Sequence, residues 1–334
     1  MKYSSLDKIF EQFNDLKVLV IGDVMVDSYI WGKVDRISPE APVPVVNIHK
    51  KEDRLGGAAN VAKNIQSLGA TPILCSLVGE DGDGENFMRI LEDRGVSTEG
   101  ILQSSERVTT VKQRVLAGSQ QMMRIDTETD KALSAQEQKA LLSKIKTLID
   151  QVDVIIFEDY DKGVLNKAVI AQVVSWAREK NIPTVVDPKK RNFLFYEGVT
   201  LFKPNLKEIK EGLKIEFNPD QPAELEGAVN QLLSKLNADI ALITMSERGV
   251  YIKSKTEHVH IPAHIRSISD VSGAGDTVIS ITSLCLAMGL PLDFSASLAN
   301  LGGGLVCESL GVVPIDKKRL YEEADKHQYI SLIK

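Results

Sequence analysis

The sequence predicts an α/β protein built on a mostly parallel, doubly wound β-sheet flanked by helices. Short apolar runs rich in β-branched residues recur along the chain, as expected for strands that are buried on both faces. Helical patterns lie between these runs, and strands that alternate with helices are typical of parallel sheets. The runs are residues 17–22, 73–78, 152–157, 184–186, 201–202 and 240–244, with helical patterns such as 60–68 and 168–180 between them.

The size and composition of the chain are those of a folded globular protein. The chain has 334 residues, of which 43% are hydrophobic and 26% are charged, and this excludes a disordered or fibrous protein. We find no internal repeat, low-complexity tract or obvious linker. We therefore expect residues 1–334 to form a single domain.

The charge balance limits the classes of partner. Lys and Arg total 40 against 46 Asp and Glu, which gives a net charge of -6 at pH 7. An acidic chain has no general attraction for nucleic acid or anionic membranes, so we expect neither as a partner, and an anionic ligand must be held locally. Charged residues interrupt the N-terminal apolar positions, which argues against a signal peptide. The three cysteines, Cys75, Cys285 and Cys307, lie far apart in apolar stretches, and we expect a cytoplasmic protein with reduced thiols.

Two stretches interrupt the alternation of strands and helices. Residues 31–54 combine prolines with β-branched residues, and residues 106–126 place two apolar runs around a turn at residues 117–119. Both are typical of short antiparallel strands inserted between the strand–helix units. They predict a small β-sheet lid over the ligand-binding edge of the main sheet. A pair of decorated surface loops is the alternative.

The segment that points most directly to chemistry is Asp270-Val-Ser-Gly-Ala-Gly-Asp276, which is followed by an apolar run suited to a buried helix. Small residues allow backbone amides to approach an anion, and the N-terminus of a helix adds the positive end of its dipole. A carboxylate at the same position can accept a proton from an attacking hydroxyl. The segment predicts a phosphate site with Asp276 as the base, although an ordinary helix-capping aspartate would give a similar pattern.

Five further motifs occur elsewhere in the chain. In sequence order they are Asp27 beyond the first strand, Leu55-Gly-Gly-Ala-Ala-Asn-Val-Ala62, Pro204-Asn205-Leu-Lys-Glu208, Thr244-Met-Ser-Glu-Arg-Gly249, and Asn300 with Gly303. Together with the Asp276 segment they resemble the signatures of the ribokinase-like carbohydrate kinases, the PfkB family, over essentially the whole chain. The resemblance implies a ribokinase-like sheet with a small lid. It also implies an ATP-dependent sugar kinase.

The resemblance assigns roles to individual residues. Asp276 is the implied base, and the backbone amides of Gly273, Ala274 and Gly275 stabilise the transferring phosphoryl group. Asn205 and Glu208 organise Mg²⁺ largely through water. Related kinases often bind a monovalent cation, for which Asp270 and Ser272 are candidate ligands. The implied nucleotide contacts are Thr244, Ser246, Gly249, Asp270, Asn300 and Gly303.

Within the family, the chain most resembles the heptose 7-phosphate kinases, including the kinase half of bifunctional ADP-heptose synthesis enzymes. Motifs that carry this resemblance include Arg36-Ile-Ser-Pro-Glu-Ala-Pro-Val-Pro-Val45, Thr110-Val-Lys-Gln-Arg-Val-Leu116 and Asp159-Tyr-Asp-Lys-Gly163. They imply phosphorylation of the anomeric hydroxyl of a heptose 7-phosphate during lipopolysaccharide precursor synthesis. The implied sugar-site residues are Asp23, Asp27, Gly56, Gly57, Asn60, Gln121 and Asp159, with Arg36, Lys112, Arg114, Arg124, Lys189 and Arg191 as candidates for holding the second phosphate.

Two alternatives remain, one for the substrate of the kinase and one for the class of protein. Another PfkB-type kinase could act on a different sugar phosphate, a pentose or a nucleoside, and a non-catalytic sensor could keep the same fold. No His-x-Gly-His element of a nucleotidyltransferase occurs, so we expect a monofunctional kinase. Unpaired lid edges and exposed apolar residues such as Val43 and Val45 predict a homodimer formed through the lid.

Overall fold

The computed structural model describes residues 5–118, 120–264 and 266–333. Within these ranges the strands are β1 Lys17–Gly22, β2 Val24–Ile37, β3 Pro44–Gly57, β4 Thr71–Gly79, β5 Ile101–Ser104, β6 Val111–Ala117, β7 Gln120–Thr127, β8 Val154–Glu158, β9 Thr184–Asp187, β10 Leu201–Phe202, β11 Ile240–Thr244, β12 Val250–Lys253 and β13 His258–Ile261. The α-helices are α1 Leu6–Gln12, α2 Ala58–Ser67, α3 Gly82–Asp93, α4 Ala135–Leu148, α5 Lys167–Glu179, α6 Leu206–Leu213, α7 Pro222–Leu236, α8 Ala274–Ala287, α9 Leu292–Val306 and α10 Lys317–Lys326.

The body of the molecule is a mostly parallel sheet in the order β13-β12-β11-β10-β9-β8-β1-β4-β5. The seven neighbouring strands β11, β10, β9, β8, β1, β4 and β5 are parallel to one another, whereas β12 and β13 at one edge pair in antiparallel fashion. Each predicted strand and helix lies within a residue or two of an observed element. The predicted doubly wound sheet is therefore confirmed.

Helices cover both faces of this sheet, and the alternation of side chains along β1 explains why. Val18 and Val20 pack into the hydrophobic core formed with α1, α2, α3, α8, α9 and α10. Leu19 and Ile21 point to the opposite core, which contains residues of α4, α5, α6 and α7. A strand buried on both faces has no polar side to expose, so its sequence is continuously apolar. No helix in the described ranges has the length and apolarity that a membrane crossing requires.

A separate sheet in the order β3-β2-β6-β7 projects from the body. Its first two strands extend beyond the predicted range of 31–54 at both ends, because β2 starts at Val24 and β3 continues to Gly57, directly before α2. The expectation of purely antiparallel strands is also wrong for the central pair, since β2 and β6 are parallel. The body elements between β3 and β6 carry the chain back to the starting end, which makes this parallel pairing possible.

Candidate active site

The N-terminus of α8 lies where the two sheets meet. Gly273 adopts the left-handed conformation with φ 82° immediately before the helix, a conformation that glycine adopts without strain. A Cβ atom on Gly275 would lie 3.5 Å from Asp187 Oδ2, so the turn passes close to the ends of the parallel strands. The amide of Ala274 donates to the Val271 carbonyl at 3.3 Å. Among the described residues, the amides of Gly273 and Gly275 have no acceptor and can donate to an anion.

Asp276 occupies the first turn of α8 and is only 7% exposed. Its Oδ2 accepts a hydrogen bond from Asn60 Nδ2 at 2.6 Å, and its Oδ1 accepts one from the Tyr160 hydroxyl at 3.1 Å. Burial raises the pKa of this carboxyl group, and the neighbouring Asp187 adds to the increase, whereas the hydrogen bonds from Asn60 and Tyr160 oppose it. The result is a fixed carboxylate whose affinity for a proton exceeds that of an ordinary aspartate, as a general base requires.

Two lysines and two more acidic groups surround Asp276 at the carboxyl ends of the parallel strands. Lys203 is 3% exposed, and its Nζ lies 2.8 Å from Asp187 Oδ2. Lys189 Nζ lies 3.2 Å from Glu208 Oε1 and 3.7 Å from Asp187 Oδ1. Burial opposes the charge of Lys189, but the carboxylates of Asp187 and Glu208 outweigh it and raise the pKa of the amine. Both ammonium groups therefore remain charged beside the turn that precedes α8.

A cavity of about 940 Å³ opens next to Asp276 on the side of β11. Of the residues that the resemblance assigned to the nucleotide, the cavity walls include Asn205, Glu208, Thr244, Ser246, Gly249, Asn300 and Gly303. A Cβ atom on Gly249 would lie 2.0 Å from the Ile261 carbonyl oxygen, and φ at this residue is 84°, so only glycine fits there. Asp270 is placed differently, because its carboxylate accepts the backbone amides of Ser272 and Gly311 and lies outside the cavity walls.

The residues expected to organise Mg²⁺ also cap a helix. Asn205 Oδ1 accepts the Glu208 amide at 2.9 Å, and Glu208 Oε2 accepts the Asn205 amide at 2.8 Å. This reciprocal capping fixes both side chains at the start of α6 and within the cavity. Carbonyl and carboxylate oxygens suit a hard cation such as Mg²⁺. The two capping hydrogen bonds leave the side chains of Asn205 and Glu208 with little freedom to move toward a metal. This agrees with the expectation that they act on Mg²⁺ through water.

Several of the residues expected to contact the sugar lie on or next to the small sheet. Asp27 is 5% exposed and forms an ion pair with Arg114 at 2.5 Å. A Cβ atom on Gly56 would lie 2.2 Å from Asp27 Oδ2, so glycine leaves room for this carboxylate. Asp27 pairs across the sheet with Arg54 on one side and Lys112 on the other, and cross-strand partners share a face. Asn60 follows on α2, which starts directly after Gly57.

Some residues assigned to the sugar site form hydrogen bonds within the protein instead. The Asp23 carboxylate accepts the backbone amides of Tyr160, Lys162 and Val164. Asp159 accepts hydrogen bonds from the side chains of Asn192 and Tyr196. These two aspartates, which the resemblance assigned to the sugar site with Asp23 as a candidate for support rather than contact, thus anchor the loop that follows β8.

Other expected contacts lie at a distance. Arg36 is exposed and nine residues along β2 from Asp27, which corresponds to about 30 Å of strand. Gln121 and Arg124 lie on the exposed edge strand β7, where Arg124 pairs with Asp126 at 2.9 Å. Arg191 pairs with an exposed aspartate at 2.6 Å. The structure therefore brings Lys112, Arg114 and Lys189 toward the candidate site and leaves Arg36, Gln121, Arg124 and Arg191 outside it.

Sequence reasoning did not select four residues that the structure places around Asp276. They are Glu158, Tyr160, Asp187 and Lys203. Each one lies at or just after the end of a predicted strand, and the carboxyl ends of parallel strands meet at the ligand-binding edge of such a sheet. A search for polar residues at these ends would have found all four.

Comparison with known proteins places this architecture in a family. The family model described as pfkB family carbohydrate kinase matches residues 15–318, which confirms the resemblance found in the sequence. The chain is 38% identical over 328 residues to the bifunctional protein HldE of Syntrophotalea carbinolica and 41% identical over 331 residues to that of Methylobacillus flagellatus. These alignments cover 98% of this chain and 66% and 67% of the relatives, so the chain spans about two thirds of their length.

Solved structures share the fold at low sequence identity. Phosphofructokinase-2 from Escherichia coli in complex with potassium matches with a TM-score of 0.76 at 17% identity, covering 96% of this chain and 99% of that one. The ribokinase of Arabidopsis thaliana complexed with ribose and ATP matches with a TM-score of 0.71 at 15% identity, covering 92% and 99%. The ribokinase-like architecture, with its separate small sheet, is thereby confirmed.

Proposed function

Because the chain belongs to the pfkB family of carbohydrate kinases, we propose that it transfers the γ-phosphoryl group of ATP to the anomeric hydroxyl of D-glycero-D-manno-heptose 7-phosphate. The product is then the 1,7-bisphosphate from which ADP-heptose is built for lipopolysaccharide. Family membership makes the chain a phosphotransferase that acts on a sugar. The placement of Asp276 carries the proposal, since this buried carboxylate borders the cavity and bonds to Asn60 next to the small sheet.

Asp276 accepts the proton of the attacking hydroxyl in the proposed reaction. Its fixed position supports this role, because both of its oxygens are already oriented by hydrogen bonds. The amides of Gly273 and Gly275 would donate to the transferring phosphoryl group at the positive end of α8. Phosphoryl transfer needs mainly positioning and charge stabilisation from the protein, and this arrangement offers both.

ATP and Mg²⁺ are the proposed cofactors. The cavity beside β11 has room for a nucleotide, and Lys189 and Lys203 bring positive charge to the end that faces Asp276. Asn205 and Glu208 would hold Mg²⁺ largely through water, and the ion neutralises charge on the phosphates when bound. A monovalent cation near Asp270 is part of the proposal, and a comparison of turnover in potassium and tetramethylammonium salts tests it.

Positive charge on the small sheet supports a phosphorylated sugar. Lys112 is half-buried, has no ion-pair partner among the described residues, and lies 5.9 Å above the Tyr160 ring. Burial lowers the pKa of its amine. Arg114 lies near the Tyr29 ring in the adjacent row of the same face, and Arg54, which is in the same row as Lys112, lies near that ring as well. A half-buried cation without a protein counter-ion is suited to an anionic ligand, and the 7-phosphate provides one.

An ADP-release assay across a panel of acceptors tests the substrate. The panel contains the heptose 7-phosphate, the same heptose without phosphate, a hexose phosphate, a pentose and a nucleoside. We expect the heptose 7-phosphate to give the highest kcat/KM. Preference for an uncharged acceptor would contradict the proposed substrate, and ligand binding without any release of ADP would favour a sensor.

A pair of lysine variants tests the role of the small sheet. Lys112→Met should raise KM for the sugar phosphate about tenfold or more, by the usual strength of hydrogen bonds to charged groups, and leave KM for ATP little changed. Lys33→Met is the matched control, because Lys33 lies on β2 with its side chain exposed and paired to Asp35. Equal sugar KM values in the two variants would contradict phosphate binding by Lys112.

The small sheet also supports a proposed homodimer. It exposes several large apolar side chains, namely Ile37, Val43, Ile48, Met123 and Ile125. Exposed apolar groups on a sheet with open edges are typical of surfaces that pair. Light scattering on the purified chain should give twice the monomer mass, and Ile48→Glu should lower that value. A monomer at every concentration would contradict the proposal.

A further inference from the structure

A second cavity lies between β3, α2, the end of α3 and the loop formed by residues 310–314. Its volume is about 250 Å³. Within the described ranges, its walls share no residue with the larger cavity that borders Asp276. A water molecule takes up about 30 Å³, so the space holds a group of roughly eight non-hydrogen atoms. The cavity can therefore take a small ligand and leave the larger cavity free.

The walls of the second cavity carry an excess of positive charge, although the whole chain has a net charge of -6. Their ionisable side chains are Glu52, Arg54, Lys63 and Arg94. Arg54 forms an ion pair with Glu52 at 2.6 Å. Lys63 and Arg94 have no carboxylate partner in the part of the chain that the structure describes. Two positive charges are therefore available to a ligand.

Lys63 is the more constrained of these two cations, because it is half-buried on α2. Burial lowers the pKa of its amine, and the charges of Arg94 and Arg54 lower it further, whereas Glu52 acts in the opposite direction. An ammonium group that loses water next to like charges is destabilised. A bound anion offsets both effects at once.

The fold itself holds Lys63 and Arg94 beside each other. Arg94 directly follows α3, and its carbonyl oxygen accepts a hydrogen bond from Gln66 Nε2 at 2.9 Å. Gln66 lies three residues after Lys63 on α2, so this bond fixes the end of α3 against the helix that carries the lysine. The backbone positions of both cations are thus set without a ligand, which lowers the entropy cost of binding one.

The loop that completes the cavity is also fixed at both ends. The amide of Gly311 donates to Asp270 Oδ2 at 3.0 Å, and the amide of Ile315 donates to Asn64 Oδ1 at 3.0 Å. Between these bonds, residues 312–314 line the cavity with apolar groups. A ligand in the cavity therefore contacts a loop that is bonded to the segment leading into α8.

A neighbouring cavity of about 390 Å³ shows what distinguishes this one. It shares Arg94 with the second cavity, but its other charged groups pair with one another. Arg89 lies 3.0 Å from Asp93, and Lys51 lies 3.8 Å from Asp53. The excess of positive charge thus belongs to the cavity that contains Lys63.

We infer that the second cavity binds a phosphate dianion through Lys63 and Arg94, with Arg54 at its edge. A phosphate group carries a charge of about -1.5 to -2 at neutral pH, which matches the two available cations. Arginine offers a fork of donors to phosphate oxygens, and lysine adds a compact charge. The dianion comes either from free phosphate or from a small phosphate ester, whose carbon atoms would lie on residues 312–314. This site is additional to the proposed kinase reaction and does not depend on it.

Trace acetylation of the full chain with acetic anhydride, followed by mass spectrometry of its peptides, reports on Lys63 directly. Inorganic phosphate should slow the acetylation of Lys63 about tenfold at saturation, because a rise of about one unit in the pKa of the amine lowers its reactive fraction by that factor. Lys33 is the control lysine, since it is exposed and paired with Asp35, and its rate should not change. Sodium chloride at equal ionic strength provides the reference. Glycerol 3-phosphate in a parallel titration distinguishes the two sources, because an ester ligand should protect Lys63 at lower concentration than free phosphate does.

Two arginine variants locate the bound anion. Arg94→Met should raise the phosphate concentration needed for protection about tenfold, by the usual strength of a hydrogen bond to a charged group. Arg89→Met is the matched control, because Arg89 lies on α3 and is already paired with Asp93. Melting curves establish that both variants are folded.

Two results would overturn the inference. One is unchanged acetylation of Lys63 with both compounds at millimolar concentration. The other is equal protection in wild type and Arg94→Met, which would mean that phosphate acts from another position, such as the turn that precedes α8. Because the experiment measures no turnover, its failure would leave the proposed kinase function untouched.

Discussion

Replacing Asp276 with asparagine isolates its role as a proton acceptor. The amide has nearly the same size but cannot take a proton from the sugar hydroxyl. General-base contributions are about 10²- to 10⁴-fold, which corresponds to about 2.7 to 5.5 kcal/mol of barrier height. We expect turnover to fall by that factor while ATP binding is retained, since the cavity walls and the amides of the turn are unchanged.

The same variant should be more stable at neutral pH. The pKa of Asp276 in the folded protein is raised by burial above its ordinary value of 3.8, so folding favours the protonated form. The ionised carboxylate therefore destabilises the fold above the raised pKa, and this effect disappears as pH falls below the unfolded value. Asparagine is neutral at every pH. The Tyr160 hydroxyl can turn to accept from the new amide, so we expect a higher melting temperature for Asp276→Asn near pH 7 and equal values near pH 3.8.

A coupled ADP-release assay, calorimetric titration with ATP and melting curves at both pH values check these expectations together. Near-normal turnover would refute the assignment of Asp276 as the base. A lower melting temperature at neutral pH would refute the argument from burial, because it would mean that the charge of Asp276 stabilises the fold. Lost activity combined with lost ATP binding would indicate a general disruption of the site rather than loss of a base.

Three further variants probe the groups around this carboxylate. Tyr160→Phe removes a hydrogen bond that lowers the pKa of the base, so the acidic limb of the kcat/KM profile should move to higher pH; an unchanged limb would speak against the contact. Gly56→Ala places a Cβ atom 2.2 Å from Asp27 Oδ2 and should raise KM for the sugar about tenfold to a hundredfold with KM for ATP unchanged, as steady-state kinetics would reveal. Lys203→Met leaves Asp187 charged, buried and without its closest counter-ion, and urea unfolding should report a loss of about 3 to 5 kcal/mol; a loss near zero would contradict the buried pair.

The sequence predicted the main sheet well because its signal is local. Short apolar runs such as residues 240–244 favour strands buried on both faces, and the observed β11 has the same bounds. The small sheet was predicted less well. Pairing of β2 with β6 depends on how the intervening chain returns through the body, and no pattern within either strand records that path. Strand direction in such a sheet is therefore a property of topology and not of local sequence.

In the candidate site too, residues in local motifs were predictable from the sequence, whereas residues brought together only by the fold were not. Gly273 and Gly249 were identifiable because they stand in short motifs along the chain, and the structure shows that both have a positive φ that glycine adopts without strain. Charged residues on the lid were harder to assign, since Arg36 and Arg114 have the same chemistry in the sequence. Only the fold reveals that Arg114 pairs with Asp27 whereas Arg36 lies at the exposed far end of β2. Chemical type can be read from one residue, but proximity across the sheet cannot.

Asp23 illustrates how a residue without a place in the chemistry can still control it. Its backbone carbonyl accepts the amide of Ala58 at 2.9 Å, at the start of the helix that carries Asn60. Its carboxylate accepts the amide of Tyr160 at 2.9 Å, in the loop after β8. Asn60 and Tyr160 are the two residues that donate to the oxygens of Asp276. One buried aspartate thus holds both elements that orient the base, so a small shift at Asp23 would move both donors together and alter the direction in which the base carboxylate faces its substrate.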